Sequence, residues 1–289
     1  MRLPRPVCQP LCVLLALLTV AVGRAQSVCM PATTAVDSMA CCGTADAPTR
    51  LTTHTWLYGA GHTNILDTYL SDFEYTGPSF SLMHTSERLA RWGKGRVTVQ
   101  GLYMATVNYA ESATDDNHEW DAQFTLGVAW HRNWHPVRGL RLAAGGMAEL
   151  GGGFTYSSNG GNNPAQGRLS ADLAFSGIAE YAFRLWNRPF QVRTQLDVPL
   201  FGAMFSPNYG QSYYEIYYLK NTDHNVVVTH PFNAPSVRWL TTCSFKLLGA
   251  TLSVGYLADV RQSHVNNLKR HTWNNQFVIG YVRRLKLLR

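Results

Sequence analysis

From residue 49 onward, apolar and polar residues alternate through one segment after another, with short turns and longer polar stretches between them. A period of two is that of a β-strand, whose successive side chains point to opposite faces. Repeated in this way, it restricts the chain to an all-β fold. Joints that alternate between short turns and long loops point further, to an antiparallel up-and-down transmembrane β-barrel with short turns on one rim and loops on the other.

About ten strands fit the pattern, each long enough to cross a bilayer's apolar core at a tilt. They are expected near 50 to 61, 78 to 92, 96 to 110, 119 to 133, 140 to 156, 168 to 185, 189 to 205, 236 to 247, 250 to 263 and 272 to 285. Short turns are expected at Gly93-Lys94-Gly95, His135 to Gly139, Trp186 to Arg188 and Leu248-Gly249. Long loops are expected at 62 to 77, 111 to 118, 157 to 167, 206 to 235 and 264 to 271. The alternation places both termini on the short-turn side, which is periplasmic in such barrels.

Parity assigns the faces. In the third strand Val97, Val99, Tyr103, Val107 and Tyr109 share one face, and Arg96, Thr98, Gln100, Thr106 and Asn108 share the other. Trp120, Phe124, Leu126, Val128 and Trp130 stand against Asp121, Gln123, Thr125 and His131, and Leu252, Val254, Tyr256 and Val260 against Ser253, Asp259 and Arg261. Apolar outward and polar inward is the polarity of a membrane barrel. The first two strands, with His54, Trp56, His84 and Glu87, lack a clean alternation. Trp92, Trp134 and Trp186 flank short turns, while Tyr109, Trp120, Tyr156, Trp239 and Trp273 lie toward the loops. Two aromatic girdles at two lipid interfaces account for that distribution.

The first 25 residues read as a cleaved export signal: Arg2 and Arg5, an apolar run from Leu11 to Val22, and Gly23-Arg24-Ala25 before Gln26. The run is too short to span a bilayer. Loss of Arg2, Arg5 and Arg24 lowers the net charge from +7 to +4, and no Lys/Arg cluster with interleaved aromatics marks a nucleic-acid surface. Residues 26 to 48 read as a flexible periplasmic tail, and residues 49 to 289 as the barrel. In an oxidising compartment Cys29 is expected to pair with Cys41 or Cys42. Cys243, inside an apolar strand pattern, reads as a small hydrophobe. No metal site or cofactor motif is found.

Certain motifs carry a resemblance. These are Asp67-Thr68-Tyr69-Leu70-Ser71, Glu74-Tyr75-Thr76-Gly77-Pro78, Gly161-Asn162-Asn163-Pro164-Ala165, the run from Phe205 to Ile216 and His271-Thr272-Trp273. Over roughly residues 49 to 285 the chain resembles the uncharacterised Bacteroidetes envelope proteins grouped as domain of unknown function 3316. The resemblance implies an exported envelope protein in the outer membrane of a Gram-negative bacterium. It implies no activity, and no catalytic residue is carried over from it.

Two sites stand out. Inward parity gathers charges on adjacent strands, among them Glu149, Asp172, Glu180, Arg184, Arg193, Gln195 and Asp197. Charges inside a narrow barrel must be paired or hydrated, so this lumen cluster of Glu149, Glu180, Arg193, Gln195 and Asp197 reads as a plug of ion pairs, against a selective pore or a buried ligand site. Folding about Trp186 is expected to set Glu180 beside Gln195. The second site is the long loop from Ser206. Tyr209, Gln211, Tyr213, Tyr214 and Glu215 combine flat apolar faces with hydrogen-bonding groups, suited to glycans or peptides. The bland alternative is that the tyrosines pack the loop over the barrel mouth. Ser81 and His84 are three residues apart on a strand and face opposite ways, which leaves no nucleophile and base in reach of one another. His54, His62 and His131 read as lumen or rim polar groups. The expectation is a non-enzymatic binding or structural protein with outer-membrane lipid as its surroundings, ahead of a small pore or a membrane-embedded hydrolase or acyl transferase.

Overall fold

The computed structural model describes residues 51 to 114, 116 to 158, 163 to 247 and 249 to 286. The export signal, the tail with Cys29, Cys41 and Cys42, and Gly161-Asn162 lie outside them. Ten strands close on themselves: β1 (Leu51–Asp67), β2 (Ser71–Leu89), β3 (Val97–Ser112), β4 (His118–Val137), β5 (Leu140–Ser157), β6 (Ala165–Leu185), β7 (Arg188–Phe205), β9 (Val237–Leu247), β10 (Ala250–Val265) and β11 (Leu268–Lys286). Each pairs antiparallel with its neighbours in sequence, β7 with β9, and β11 pairs with β1 to shut the barrel. A short strand, β8 (Val226–Thr229), pairs with the end of β7. A single-turn helix, α1 (Tyr213–Tyr217), lies in the loop between β7 and β8. No helix among the described residues is long and apolar enough to cross a membrane.

Among the described residues each of the ten barrel strands is paired on both sides, which is what allows β-structure in lipid, while the short β8 is paired on one side. The outer face is apolar and open: Phe80, Tyr103, Phe124, Leu126, Val128, Leu150, Phe154, Leu173, Phe277 and Ile279 are all exposed, Phe277 at 63%. The inner face holds Thr98, Gln100, Thr106, Asn108, Asp121, Thr125, His131, Ser253 and Asp259, all buried. A soluble protein does not present an apolar belt of this extent to water, so the fold is a membrane barrel. Cys243, on the outer parity of β9, is free.

The joints depart from the expected alternation. β1 runs to Asp67 and β2 starts at Ser71, so the expected loop at 62 to 77 is a three-residue turn. The expected loop at 264 to 271 is a two-residue hairpin of Asn266 and Asn267, both at positive φ (52° and 61°), as such hairpins demand. The strands here extend beyond what lipid requires, roughly 10 tilted residues, and their projecting ends face water on the outside. Outward polar residues there, such as Asn64 bonded to Glu74 at 3.1 Å, erase the alternation without ending the strand. The joint between β7 and β9 is the long one on that rim. Both termini of the barrel do lie on the short-turn rim.

Two further differences have local causes. Trp186-Asn187 is a two-residue turn, so Leu185 pairs with Arg188 and Glu180 stands opposite Arg193 rather than Gln195. In β1 and β2 the inner face is itself partly apolar. Leu57 and Met83 join Leu102, Met104, Ala129, Met147, Ala174, Leu257 and Val278 in one buried cluster inside the lumen. With apolar residues on both faces, no period of two survives in that stretch.

Face assignment is testable by inserting charge. Val128→Arg and Val254→Arg, on the lipid side, are expected to destabilise the barrel by about 2 to 4 kcal/mol near the midplane. Gln123→Arg, beside the Asp121 carboxylate it already bonds at 2.9 Å, is expected to cost under about 1 kcal/mol. Chemical unfolding in lipid vesicles measures all three, and equal losses would contradict the assignment.

Candidate functional site

An apolar and aromatic exterior fixes the wall, while the long inward side chains decide what the lumen is. Those charges lie in three tiers. Nearest the short-turn rim, Glu87 of β2 and Glu180 of β6 each bind both Arg141 of β5 and Arg193 of β7. Glu87 is 2.6 and 2.7 Å from the two guanidiniums, and Glu180 is 2.8 and 3.4 Å away. Arg193 also donates to Gln195 at 3.2 Å. Gln195 and Gln100 of β3 exchange hydrogen bonds at 3.0 and 3.2 Å, directly across the lumen.

In the middle tier, Arg238 of β9 reaches Glu149 of β5 at 2.6 Å and Asp197 of β7 at 3.1 Å. Arg261 of β10 binds Glu149 at 3.1 Å, Asp259 at 3.2 Å and Thr125 at 3.1 Å. Asp197 also accepts from Ser176, whose hydroxyl contacts His131 at 2.8 Å. In the upper tier, Arg168 of β6 spans to Asp67 of β1 at 3.0 Å and to Asp121 of β4 at 2.5 Å. The apolar cluster around Leu57, Met83, Met104 and Leu257 lies between the first two tiers. A guanidinium is chosen for such bridges because its planar fork serves two carboxylates at once.

Of the residues singled out in the sequence, Glu180, Arg193, Gln195 and Asp197 form one chain of contacts, through Gln195 to Asp197 at 3.1 Å. Glu149 belongs to the tier above and is joined to them by Arg238. Arg184 is exposed at the rim. The sequence does not bring out Glu87, Arg168 and Asp67, whose partners lie across the lumen, nor Arg141 and Arg238, each of which bridges a carboxylate directly opposite on an adjacent strand, Glu180 or Asp197, to one farther away, Glu87 or Glu149. Inward parity alone marks them, once every strand is read. Ser81 is buried in the lumen beside Gln276, whereas His84 stacks on Trp56 and His54 on the outer face.

The loop closes over this interior. Tyr213 accepts a 2.6 Å bond from the Gly167 amide of β6, and its ring meets Tyr69 edge-on at 5.9 Å. Tyr69 in turn donates to the Gln211 carbonyl at 3.0 Å; burial, then the neighbouring Tyr213, pushes its phenol up to about 12, so it stays a donor. Gln211 is buried and binds the Asn208 amide, the Asn225 side chain and the Asn221 carbonyl. Asn266, in the β10–β11 turn, donates to the carbonyls of Ser206 and His224. Glu215 completes a capping box with Ser212 at the start of α1. These contacts pin the loop to strands on both sides of the mouth. Tyr209, Tyr214, Tyr217 and Tyr218 remain outside, with Tyr214 (60% exposed) stacked on Tyr218 (72% exposed) at 4.9 Å.

Comparison with known proteins gives a family and a set of distant folds. A family model described as a protein of unknown function (DUF3316) matches residues 10 to 289. No curated protein matches the sequence. Among solved structures, Neisserial surface protein A is 9% identical, with 82% of this chain and 97% of that one covered and a TM-score of 0.32. An outer membrane channel from Pseudomonas putida F1 is 10% identical, with 83% and 97% covered and a TM-score of 0.34. Ail, the attachment invasion locus protein of Yersinia pestis, solved with the heparin analogue sucrose octasulfate, is 10% identical, with 80% and 99% covered and a TM-score of 0.28. Likenesses at this level carry no argument about what the chain does.

The tiers make a stability prediction. Arg238→Met leaves Glu149 short of one partner and Asp197 without a guanidinium, and is expected to cost about 3 to 5 kcal/mol, because it strands buried carboxylates. Arg193→Met is expected to cost less, since Arg141 still binds both Glu87 and Glu180. Unfolding of the two variants in the same detergent ranks them, and the reverse order would contradict the tier assignment.

Proposed function

The chain belongs to the DUF3316 family of proteins of unknown function, and we propose that it is a non-enzymatic outer-membrane barrel that binds at the cell surface through its tyrosine-bearing loop. The observation that carries this is a division of labour within the loop. Tyr213, Gln211 and Glu215 are spent on holding it, with Tyr217 stacked on Tyr213, whereas Tyr209, Tyr214 and Tyr218 contact none of these anchors through their rings and face out. An ordered platform of exposed aromatic rings beside hydroxyls offers stacking faces at small entropic cost, the combination that glycans and peptides need. The loop faces outward on this reading, which takes the N-terminal segment as an export leader and the short-turn rim as periplasmic, as in barrels of this kind.

A pore is the second reading, and the lumen argues against it. An apolar layer and cross-lumen ion pairs lie in the path of an ion, and hydrophobic constrictions close a pore by dewetting. The purified protein is therefore expected to give no steady current in planar bilayers. A persistent ohmic conductance would favour the pore.

For the binding reading, Tyr214→Ala with Tyr218→Ala is expected to abolish retention on glycan and peptide arrays while heat-modifiable migration is kept. Tyr213→Phe is expected instead to leave the exposed platform in place and to increase external protease cleavage between Ser206 and Asn233. Retention equal for the wild type and the double variant, or none for either, would reject the loop as the binding element.

A further inference from the structure

One lumen guanidinium stands apart from the tiers. Arg270 of β11 lies opposite Asp67 and Ser263 in the ladder, and among the described residues its side chain forms no hydrogen bond or ion pair; its Nε is buried without a partner. The carboxylates beside it are already engaged: Arg168 holds Asp67 at 3.0 Å and Asp121 at 2.5 Å. Arg270 lines a cavity of about 90 Å³ in the upper lumen. A guanidinium carries five N–H donors, and burying one without acceptors is costly.

The same cavity wall contains a carboxylate in the opposite condition. Asp172 of β6 accepts from the Thr229 hydroxyl at 3.3 Å, yet no guanidinium reaches it among the described residues. An ionised carboxylate has about four acceptor sites, so capacity remains. The wall as a whole is balanced, with Arg168, Arg238, Arg261 and Arg270 against Glu149, Asp172, Asp197 and Asp259. A ligand bearing net charge would upset that balance; one bearing both signs would not. Size sets a second limit, because a cavity needs about 10 to 15 Å³ for one water and about 150 Å³ suits benzene. This one accommodates a molecule of a few heavy atoms.

We propose that the upper lumen is a binding site for a small zwitterion of amino-acid size, its carboxylate on Arg270 and its ammonium on Asp172. The site is separate from the tyrosine platform and does not depend on it. Segment 230 to 236, between β8 and β9, supplies one side of the cavity through His230, Ala234 and Ser236. That segment lies where β7 has exchanged its pairing with β9 for pairing with β8, and where Leu200 bulges out of register.

The test is isothermal titration of the folded barrel in detergent with glycine and L-serine, and with acetate and methylammonium as single-charge comparisons. Glycine or serine is expected to bind, with each single-charge probe weaker by at least about tenfold, or 1.4 kcal/mol. Arg270→Gln and Asp172→Asn are each expected to weaken amino-acid binding by at least about tenfold while heat-modifiable migration is unchanged. Thr229→Val, which alters no charge and orients Asp172 less firmly, is expected to weaken it by a smaller factor and covers the case in which a charge variant fails to fold. The proposal is overturned if neither amino acid binds the wild type. It is equally overturned if acetate binds as well as glycine and Asp172→Asn changes nothing, which would make the site one for simple anions.

Discussion

A charge inside a narrow barrel has no bulk water to fall back on, and this constraint organises the molecule. Each inward carboxylate of the three tiers is met by a guanidinium, and in each tier at least one guanidinium comes from a strand well away around the wall: β5 to β2, β9 to β5, β6 to β1. Replacing such a pair with well-packed apolar residues need not lose stability, but removing one partner does. The pairs therefore act less as glue than as a specification. They admit one arrangement of the ten strands, since a slip of one residue would turn the arginines into lipid and the aromatic belt into the lumen.

The outside supplies the driving force and the inside supplies the uniqueness. Phe80, Phe124, Leu150 and Phe277 face outward with about half or more of each residue uncovered, a surface that only lipid satisfies. Inside, the cluster of Leu57, Met83, Met104 and Leu257 packs as a core does in a soluble protein. With the loop pinned by Tyr213 and Asn266 above, packed side chains block the lumen at the level of this cluster, and a small cavity lies in its upper part. On the proposed reading, such a barrel serves to display its loop, where the rings of Tyr209, Tyr214, Tyr217 and Tyr218 are exposed.

Much of this is legible in the sequence where one face is in lipid and the other is polar. The parity of β3, β4 and β10 is read correctly from alternation alone, with Val128 outward and Asp121 inward. It fails where that contrast disappears. Leu57 and Met83 make the inner face apolar, and Asn64 and Glu74 make the outer face polar, so β1 and β2 lose their period from both directions. Residue pairs across the lumen are invisible for a different reason: Arg168 and Asp67 are 101 positions apart and not on neighbouring strands, so nothing local connects them. The roles within the long loop divide likewise, for tyrosines that clamp and tyrosines that project look alike until the partners Gly167 and Tyr69 are placed.

The central claim, that the interior is held in register by ion pairs across the lumen, is tested most directly by a double-mutant cycle on Glu149 and Arg238. These side chains are 2.6 Å apart and nearly inaccessible. Equilibrium unfolding of the wild type, Glu149→Gln, Arg238→Gln and the double variant in one detergent gives the coupling energy. The account predicts coupling of at least about 1.5 kcal/mol, within the range for contacting residues in one network. Coupling near zero, with additive losses, would contradict it.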